Sequence, residues 1–260
     1  AGLLRAVGDS QAALYFLIIA AVLNILLDLY FITQLHLGVQ SAGIATIIAQ
    51  GISALLCLLY IRKKVPFLLP HRKDFVWDKE LYQDLLSQGL AMGLMTSIVS
   101  IGTVILQSAI NQLGTTIISA QVAARRIMSF AVLPITAIAS SITTFISQNF
   151  GAEQFQRIKK GVTIANLLSW VWSVLVAALL FFTSPSLTSF ISGSTNPDLI
   201  ANASLYLQIS SCFYPILASL IILRNALQGM GKKLTPLTSS FIELFGKIFF
   251  VLWIIPHTGY

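Results

Sequence analysis

The sequence predicts an all-α polytopic membrane protein with seven transmembrane helices. Of its 260 residues, 56% are hydrophobic and only 10% are charged, whereas a soluble domain has about 25% charged residues. The apolar residues form runs long enough to cross the roughly 30 Å hydrocarbon core of a bilayer as helices. We predict spans at about 11–33, 41–61, 85–110, 118–147, 160–184, 199–227 and 235–255.

The first span contains one carboxylate, Asp28, with Asn24 four residues before it. Side chains at i and i+4 leave the same face of a helix about one turn apart. A charged Asp inside a membrane-spanning helix costs roughly 2.5–3.5 kcal/mol on insertion scales, so it is rarely kept without a function. We interpret the pair as half of an ion site; the structural alternative is that it hydrogen-bonds a neighbouring helix.

The second span supplies a hydroxyl, Thr46. If the connector between the two spans centres near Leu37, Asp28 and Thr46 are equally far from it, and an antiparallel pair of helices brings them to the same depth. Carboxylate, amide and hydroxyl oxygens suit hard monovalent cations, and a desolvated carboxylate can exchange a proton instead. Asn24, Asp28 and Thr46 therefore predict a cation-coupling site for Na⁺ or H⁺.

The connectors carry basic residues on one side of the membrane only. One set of alternate connectors contains Arg5, Arg62, Lys63, Lys64, Arg72, Lys73, Lys79, Arg157, Lys159, Lys160, Lys232 and Lys233. The opposite connectors, 34–40, 111–117, 185–198 and 256–260, contain no Lys or Arg. This distribution obeys the positive-inside rule at every connector and supports the count of seven spans.

A polar, proline-containing segment at 62–84 separates two groups of spans. Residues 4–32 and 227–255 share a spacing of Leu, Ile and Gly. The copies contain the first and the seventh span, and an offset of six spans gives both the same orientation. We predict the end of an amino-terminal helical lobe at 1–61, a cytoplasmic inter-lobe linker at 62–84 and most of a carboxy-terminal lobe at 85–260. The chain is then a fragment of a twelve-helix protein with two parallel six-helix repeats.

Charged residues also lie inside two later spans. In the fourth, Arg125 and Arg126 precede Pro134, which we expect to bend the helix. The arginines either snorkel outward, face a wet cavity or pair with an acid outside this chain. In the seventh, Glu243 and Lys247 stand at i and i+4, in the order that favours an intrahelical pair. They form either a self-neutralised structural pair or part of a second polar path.

The sequence offers no support for an enzyme or a nucleic-acid-binding protein. His36, His71 and His257 are isolated, and no glycine-rich phosphate loop is present. The net charge of +7 comes largely from the connectors, so it reports membrane topology. We expect no catalytic residue, no cofactor apart from the coupling Na⁺ or H⁺, and a monomer whose partners are small amphiphilic substrates and membrane lipid.

Four short segments carry a resemblance to a known family: LRAVGDS at 4–10, LNILLD at 23–28, GVQSAGIAT at 38–46 and QNFGA at 148–152. In this order and spacing the chain resembles the multidrug and toxic compound extrusion (MATE) transporters of the multidrug/oligosaccharidyl-lipid/polysaccharide flippase superfamily. The resemblance covers essentially the whole chain, from the fifth to the eleventh of twelve helices. It implies an antiporter of the cell membrane, typically a bacterial inner membrane. Such an antiporter exports amphiphilic, often cationic compounds in exchange for Na⁺ or H⁺ by rocking two six-helix bundles.

The resemblance also implies roles for particular residues. Asn24, Asp28 and Thr46 match the amide, carboxylate and hydroxyl of an amino-terminal cation site, whose further Asp belongs to the family's first helix. The acids that some members use in the seventh and tenth helices have no counterpart in 85–110 or 199–227, so coupling through the carboxy-terminal lobe is not expected.

The alternative on the same fold is a flippase for a lipid-linked saccharide. It would need a larger and more cationic central cavity, and Arg125 and Arg126 supply basic groups for one.

Overall fold

The computed structural model describes residues 2–36, 38–254 and 257, and these residues form helices and turns without a β-strand. The α-helices are α1 (Gly2–Ala6), α2 (Ser10–Thr33), α3 (Gln40–Lys64), α4 (Lys79–Ile110), α5 (Thr115–Gly151), α6 (Phe155–Ser192), α7 (Pro197–Cys212), α8 (Tyr214–Gly229) and α9 (Leu234–Phe249). Within the described residues, six helices are long and apolar enough to cross a membrane, or seven if the bent pair of α7 and α8 is one span. The predicted fold class is confirmed. Leu37 and Ile255, which marked a connector centre and a span end, lie outside the described residues.

The longest helices exceed the predicted spans. α5 has 37 residues and α6 has 38, so each is about 55 Å long at 1.5 Å per residue, against a hydrocarbon core of roughly 30 Å. Pro134 lies within the continuous α5. α6 ends at Ser192 and is capped by Gly193, whose φ of 64° is a left-handed conformation that glycine adopts at little cost. Its N–H closes the last turn by donating to the Ser189 carbonyl at 2.9 Å.

The predicted span at 199–227 is not one continuous helix. α7 ends at Cys212, α8 begins at Tyr214, and the two are bent by 55°. Pro215 contributes to the break because it has no N–H to continue the hydrogen-bond ladder, and it stands in the first turn of α8, where that N–H is not needed. The N–H of Phe213 instead donates to the carbonyls of Ser210 and Ser211 in a tightened last turn. The bent pair still passes as one apolar span, in agreement with the predicted seven, but hydrophobicity alone did not predict the break inside it.

The chain divides into two compact units, the amino-terminal unit Ala1–Asp78 and the carboxy-terminal unit Lys79–Tyr260. In the amino-terminal unit, α2 and α3 pack against each other around a small core that includes Leu4, Ala13 and Cys57. Residues 62–64 of the predicted linker continue α3, and residues 79–84 begin α4.

In the carboxy-terminal unit, α5 packs against α6, α7 and α8, and α4 packs against α9. One buried cluster includes Ile127, Leu180 and Leu207, and a second includes Ile146 and Ile222. Because lipid does not drive apolar helices together as water does, small residues and polar bonds between helices gain weight. Serine and alanine accordingly make up much of the buried set in this unit.

Candidate functional site

The amide of Asn24 on α2 contacts the hydroxyl of Thr46 on α3. Asn24 Nδ2 donates a hydrogen bond to Thr46 Oγ1 at 3.2 Å. The Thr46 hydroxyl in turn donates to the carbonyl of Ala42 at 2.7 Å, one turn earlier in its own helix. The structure therefore brings together two of the three residues that were predicted to form the cation site.

Asp28 lies one turn further along α2 and is partly buried. Its Oδ1 atom is buried and has no hydrogen-bond partner among the described residues. A carboxylate oxygen that is withdrawn from water without a partner is costly, more so within a bilayer. The chemistry that relieves this cost is protonation, a bound cation, or a donor from a part of the protein beyond the described residues.

Three hydrogen bonds define the register of α2 against α3. They are Tyr60 Oη to Asp9 Oδ2 at 2.8 Å, Ser53 Oγ to the Phe16 carbonyl at 2.9 Å, and Asn24 Nδ2 to Thr46 Oγ1 at 3.2 Å. This register places Thr46 level with Asn24, so the prediction that it lies level with Asp28 was wrong by one turn. The prediction assumed that the two helices end at equal height, whereas α2 extends beyond the first residue of α3 by about 4.5 Å at 1.5 Å per residue.

Asp9 is an acid of this unit that the sequence analysis did not assign. Its Oδ1 accepts from the backbone N–H of Ala12 at 3.1 Å and caps α2, while its Oδ2 accepts from Tyr60. One oxygen therefore stabilises the first turn of α2, and the other joins that turn to the end of α3. The signal in the sequence was an Asp just before an apolar run, which is typical of a helix N-cap.

A second charged group lies in the carboxy-terminal unit, where Glu243 is shared by two cations. Arg224 Nη2 on α8 is 3.0 Å from Glu243 Oε2, and Lys247 Nζ is 2.8 Å from Glu243 Oε1. Arg224 also donates to Ser239 Oγ through Nε at 3.1 Å and through Nη2 at 2.9 Å. We call Arg224, Glu243 and Lys247 the Arg–Glu–Lys cluster.

The predicted pair of Glu243 and Lys247 is thus present but has a third member that the sequence analysis missed. Arg224 lies inside an apolar run, which is the same signal that singled out Asp28. The side chains of Arg224, Lys247 and Glu243 are 15%, 24% and 29% exposed. The three groups together carry two positive charges and one negative charge.

A cavity of about 770 Å³ adjoins this cluster. Glu243, Gly246 and Lys247 form one part of its wall, and α4, α5 and α7 supply most of the rest. The apolar side chains that line it are Leu106, Ile110, Leu113, Ile117, Leu205, Ile209 and Phe250. We call this space the carboxy-terminal cavity.

Arg125 and Arg126 lie apart from that cluster in the first half of α5. Arg125 is partly buried and makes no hydrogen bond or ion pair that the described part of the chain reveals. Arg126 is exposed and lines a smaller cavity of about 420 Å³ together with Ser119, Ser192 and Ser194. The arginines were expected to snorkel, to face a cavity or to pair with an acid outside this chain, and Arg126 lies in the wall of a cavity.

Ionisable residues inside membrane-spanning helices are rare and mark functional sites. The chain belongs to the MatE family, whose family model matches residues 91–253. It is 30% identical over 243 residues to the probable multidrug resistance protein YpnP of Bacillus subtilis (strain 168), covering 92% of this chain and 53% of that protein. It is 27% identical over 252 residues to a protein of Shewanella oneidensis named FAD transporter, covering 93% and 54%.

The fold agrees with that of a solved structure described as the outward-facing conformation of a multidrug resistance MATE family transporter of the MOP superfamily. The TM-score is 0.87 at 22% identity, covering 97% of this chain and 57% of that one. The chain spans about half the length of the curated relatives above. The predicted resemblance to MATE transporters is confirmed, and the chain is a multi-pass membrane protein.

Proposed function

We propose that the full-length protein exports amphiphilic organic compounds by antiport against Na⁺ or H⁺, with Asp28 as the coupling acid. The observation that carries this proposal is the buried Oδ1 of Asp28, which has no hydrogen-bond partner within the described residues. Asn24 and Thr46, bonded to each other one turn away, add an amide and a hydroxyl that can complete a shell of oxygen ligands. No enzymatic step is needed for this function.

The coupling mechanism follows from the charge of this carboxylate. Binding of Na⁺ or H⁺ neutralises Asp28 and favours one arrangement of the helices, while substrate binding favours the other, so the two compete. A hundredfold shift in the populations needs a differential affinity of about 2.7 kcal/mol. Neutralising one desolvated carboxylate supplies free energy of that order.

The relatives support small organic substrates. The name of YpnP points to multidrug resistance, and that of the Shewanella protein to transport of FAD. These names favour export of soluble or amphiphilic small molecules over the lipid-linked saccharide of a flippase. Measuring dye efflux and lipid-linked saccharide movement in the same proteoliposomes separates the two, and movement of the saccharide alone would contradict the proposal.

The test is Asp28→Asn in the full-length protein, reconstituted in proteoliposomes with either an imposed Na⁺ gradient or an imposed pH gradient. The amide has the shape of the carboxylate but neither ionises nor offers a negative charge to a cation. We expect gradient-driven efflux of fluorescein and rhodamine 123 to fall to the level of empty liposomes. The gradient that drives the wild-type protein identifies the coupling ion.

Asp198→Asn is the matched control, because Asp198 lies in the first turn of α7 outside the Asn24–Asp28–Thr46 group. The control should retain the efflux of the wild type, and both variants should keep the wild-type melting temperature within a few degrees. Normal gradient-driven efflux by Asp28→Asn would refute the assignment of the coupling acid.

A further inference from the structure

The Arg–Glu–Lys cluster has one positive charge in excess, and of its two cations Lys247 is the one that lines the carboxy-terminal cavity. Arg224 is already engaged by one oxygen of Glu243 and by Ser239. An ammonium group has three N–H donors, and the bond to Glu243 at 2.8 Å is the one polar contact of Lys247 Nζ within the described residues. Two donors and a net charge of about +1 therefore remain for another partner.

Lys247 presents this charge to the carboxy-terminal cavity, which it lines. A Cβ atom built on Gly102 would lie 2.9 Å from Lys247 Cδ, so the glycine leaves room for the lysine stem between α4 and α9. Gln121 and Tyr206 also line the cavity, and the buried Oε1 of Gln121 lacks a hydrogen-bond partner in the described part of the chain. The cavity thus combines apolar walls, a cation and an unpartnered acceptor, which could bond a hydroxyl or N–H of a ligand but not its anionic group.

We infer that the carboxy-terminal cavity binds an amphiphilic organic anion, with a carboxylate, sulfonate or phosphate on Lys247 and the apolar body against α4, α5 and α7. The volume of about 770 Å³ suits one drug-sized molecule. This inference rests on the proposed function, because it assigns the charge of the exported compound. It departs from the expectation that the substrates are often cationic.

A cationic ligand fits this cavity poorly. The single carboxylate among the residues that line it, Glu243, is already bonded to two cations. A ligand cation near Glu243 would meet Lys247 in a medium of low dielectric constant, where repulsion between like charges is strong. An anion near Lys247 instead neutralises the excess charge of the cluster and makes charge-assisted hydrogen bonds.

The test uses two dyes that share a xanthene ring system and differ in charge, anionic fluorescein and cationic rhodamine 123. Binding to the full-length protein in nanodiscs is measured by fluorescence anisotropy without any ion gradient. For the wild type we expect fluorescein to bind more tightly than rhodamine 123. Lys247→Gln should weaken fluorescein at least about tenfold, as expected for loss of one charge-assisted hydrogen bond, and should leave rhodamine 123 unchanged or tighter.

Two further variants separate a binding role from a structural one. Lys247→Arg keeps the positive charge and should retain fluorescein binding within about threefold, a difference below 1 kcal/mol. Lys160→Gln removes one positive charge from the exposed start of α6 and should change neither dye. Damage to the fold would weaken both dyes together, whereas loss of an anion site weakens fluorescein alone.

Tighter binding of rhodamine 123 by the wild type, absence of fluorescein binding, or equal fluorescein binding by wild type and Lys247→Gln would each overturn the inference. Because binding is measured without a gradient, Asp28→Asn should still bind fluorescein. If Lys247→Gln binds fluorescein as the wild type does while Asp28→Asn loses transport, the anion site is ruled out and the coupling proposal stands. If Lys247→Gln loses fluorescein binding while Asp28→Asn transports normally, the coupling proposal is ruled out and the anion site stands.

Discussion

Replacing Glu243 by glutamine leaves Arg224 and Lys247 close together inside the carboxy-terminal unit with no carboxylate between them. In the native structure both cations contact the carboxylate, at 3.0 and 2.8 Å. Removing one partner of a fully buried ion pair costs about 3–5 kcal/mol, whereas an exposed pair contributes about 0–1 kcal/mol. Because these side chains are mostly but not wholly buried, we expect Glu243→Gln to lower the free energy of unfolding by about 2–4 kcal/mol.

The assay is a double-mutant cycle on the full-length protein in detergent, with unfolding followed by intrinsic fluorescence. Lys247→Gln alone should cost less than Glu243→Gln, because Arg224 and Glu243 still neutralise each other. The double variant should be more stable than Glu243→Gln alone, because it removes one of the two stranded cations. We expect a coupling energy of about 1–3 kcal/mol between positions 243 and 247.

The control for this cycle is Glu153→Gln, at an exposed turn between α5 and α6. A surface substitution of this kind should change stability by less than about 0.5 kcal/mol. Additive effects of Glu243→Gln and Lys247→Gln would refute the reasoning, since they would mean that Glu243 does not interact energetically with Lys247. Wild-type stability of Glu243→Gln would refute it as well.

Two further predictions concern packing and a link between helices. Gly229→Ala places a Cβ atom 2.7 Å from the backbone carbonyl of Thr143, so it should destabilise the contact of α8 with α5 by about 1–3 kcal/mol in the same unfolding assay. Gly93→Ala, which meets no atom within 4 Å in this chain, should be neutral or slightly stabilising, and equal effects at the two glycines would contradict this packing. Lys233 joins the start of α9 to Asp84 on α4 at 2.8 Å. Because Asp84 is 56% exposed, Asp84→Asn should lower the stability only slightly, and less in 1 M salt; a salt-independent loss would show that the ion pair is not the cause.

The number and class of the helices could be predicted from the sequence because hydrophobicity and charge placement report them directly. The sequence did not predict the features that depend on local backbone geometry or on where each helix ends. Pro215 bends a run of apolar residues that otherwise resembles one span, and hydrophobicity carries no information about that bend. Whether Thr46 lies level with Asp28 depends on how far α2 extends past the first residue of α3. Counting equal numbers of residues outward from the connector cannot predict that distance.

The candidate site residues were predicted in part, and for a chemical reason. An ionisable residue inside an apolar run is conspicuous because the membrane penalises it, and this signal found Asp28, Glu243 and Lys247. The same signal was available for Arg224, eight residues before Lys232, but no role was assigned to it from the sequence. The partners on other helices, Asn24 with Thr46 and Arg224 with Glu243, depend on helix rotation and register, which one sequence does not specify.

The two copies of the internal repeat place different charges at matching positions, and the structure explains what each arrangement can do. Lys247 occupies the position of Asn24, and Val251 that of Asp28. In the amino-terminal unit the acid therefore keeps a buried oxygen without a partner in the described chain, so a cation or proton can still bind there. In the carboxy-terminal unit Glu243 is saturated by Arg224 and Lys247, and another cation would have to displace one of them. If cation exchange drives this protein, as we propose, the unpartnered oxygen of Asp28 is the candidate place for the cation among the described residues, and Lys247 is the candidate contact for the substrate.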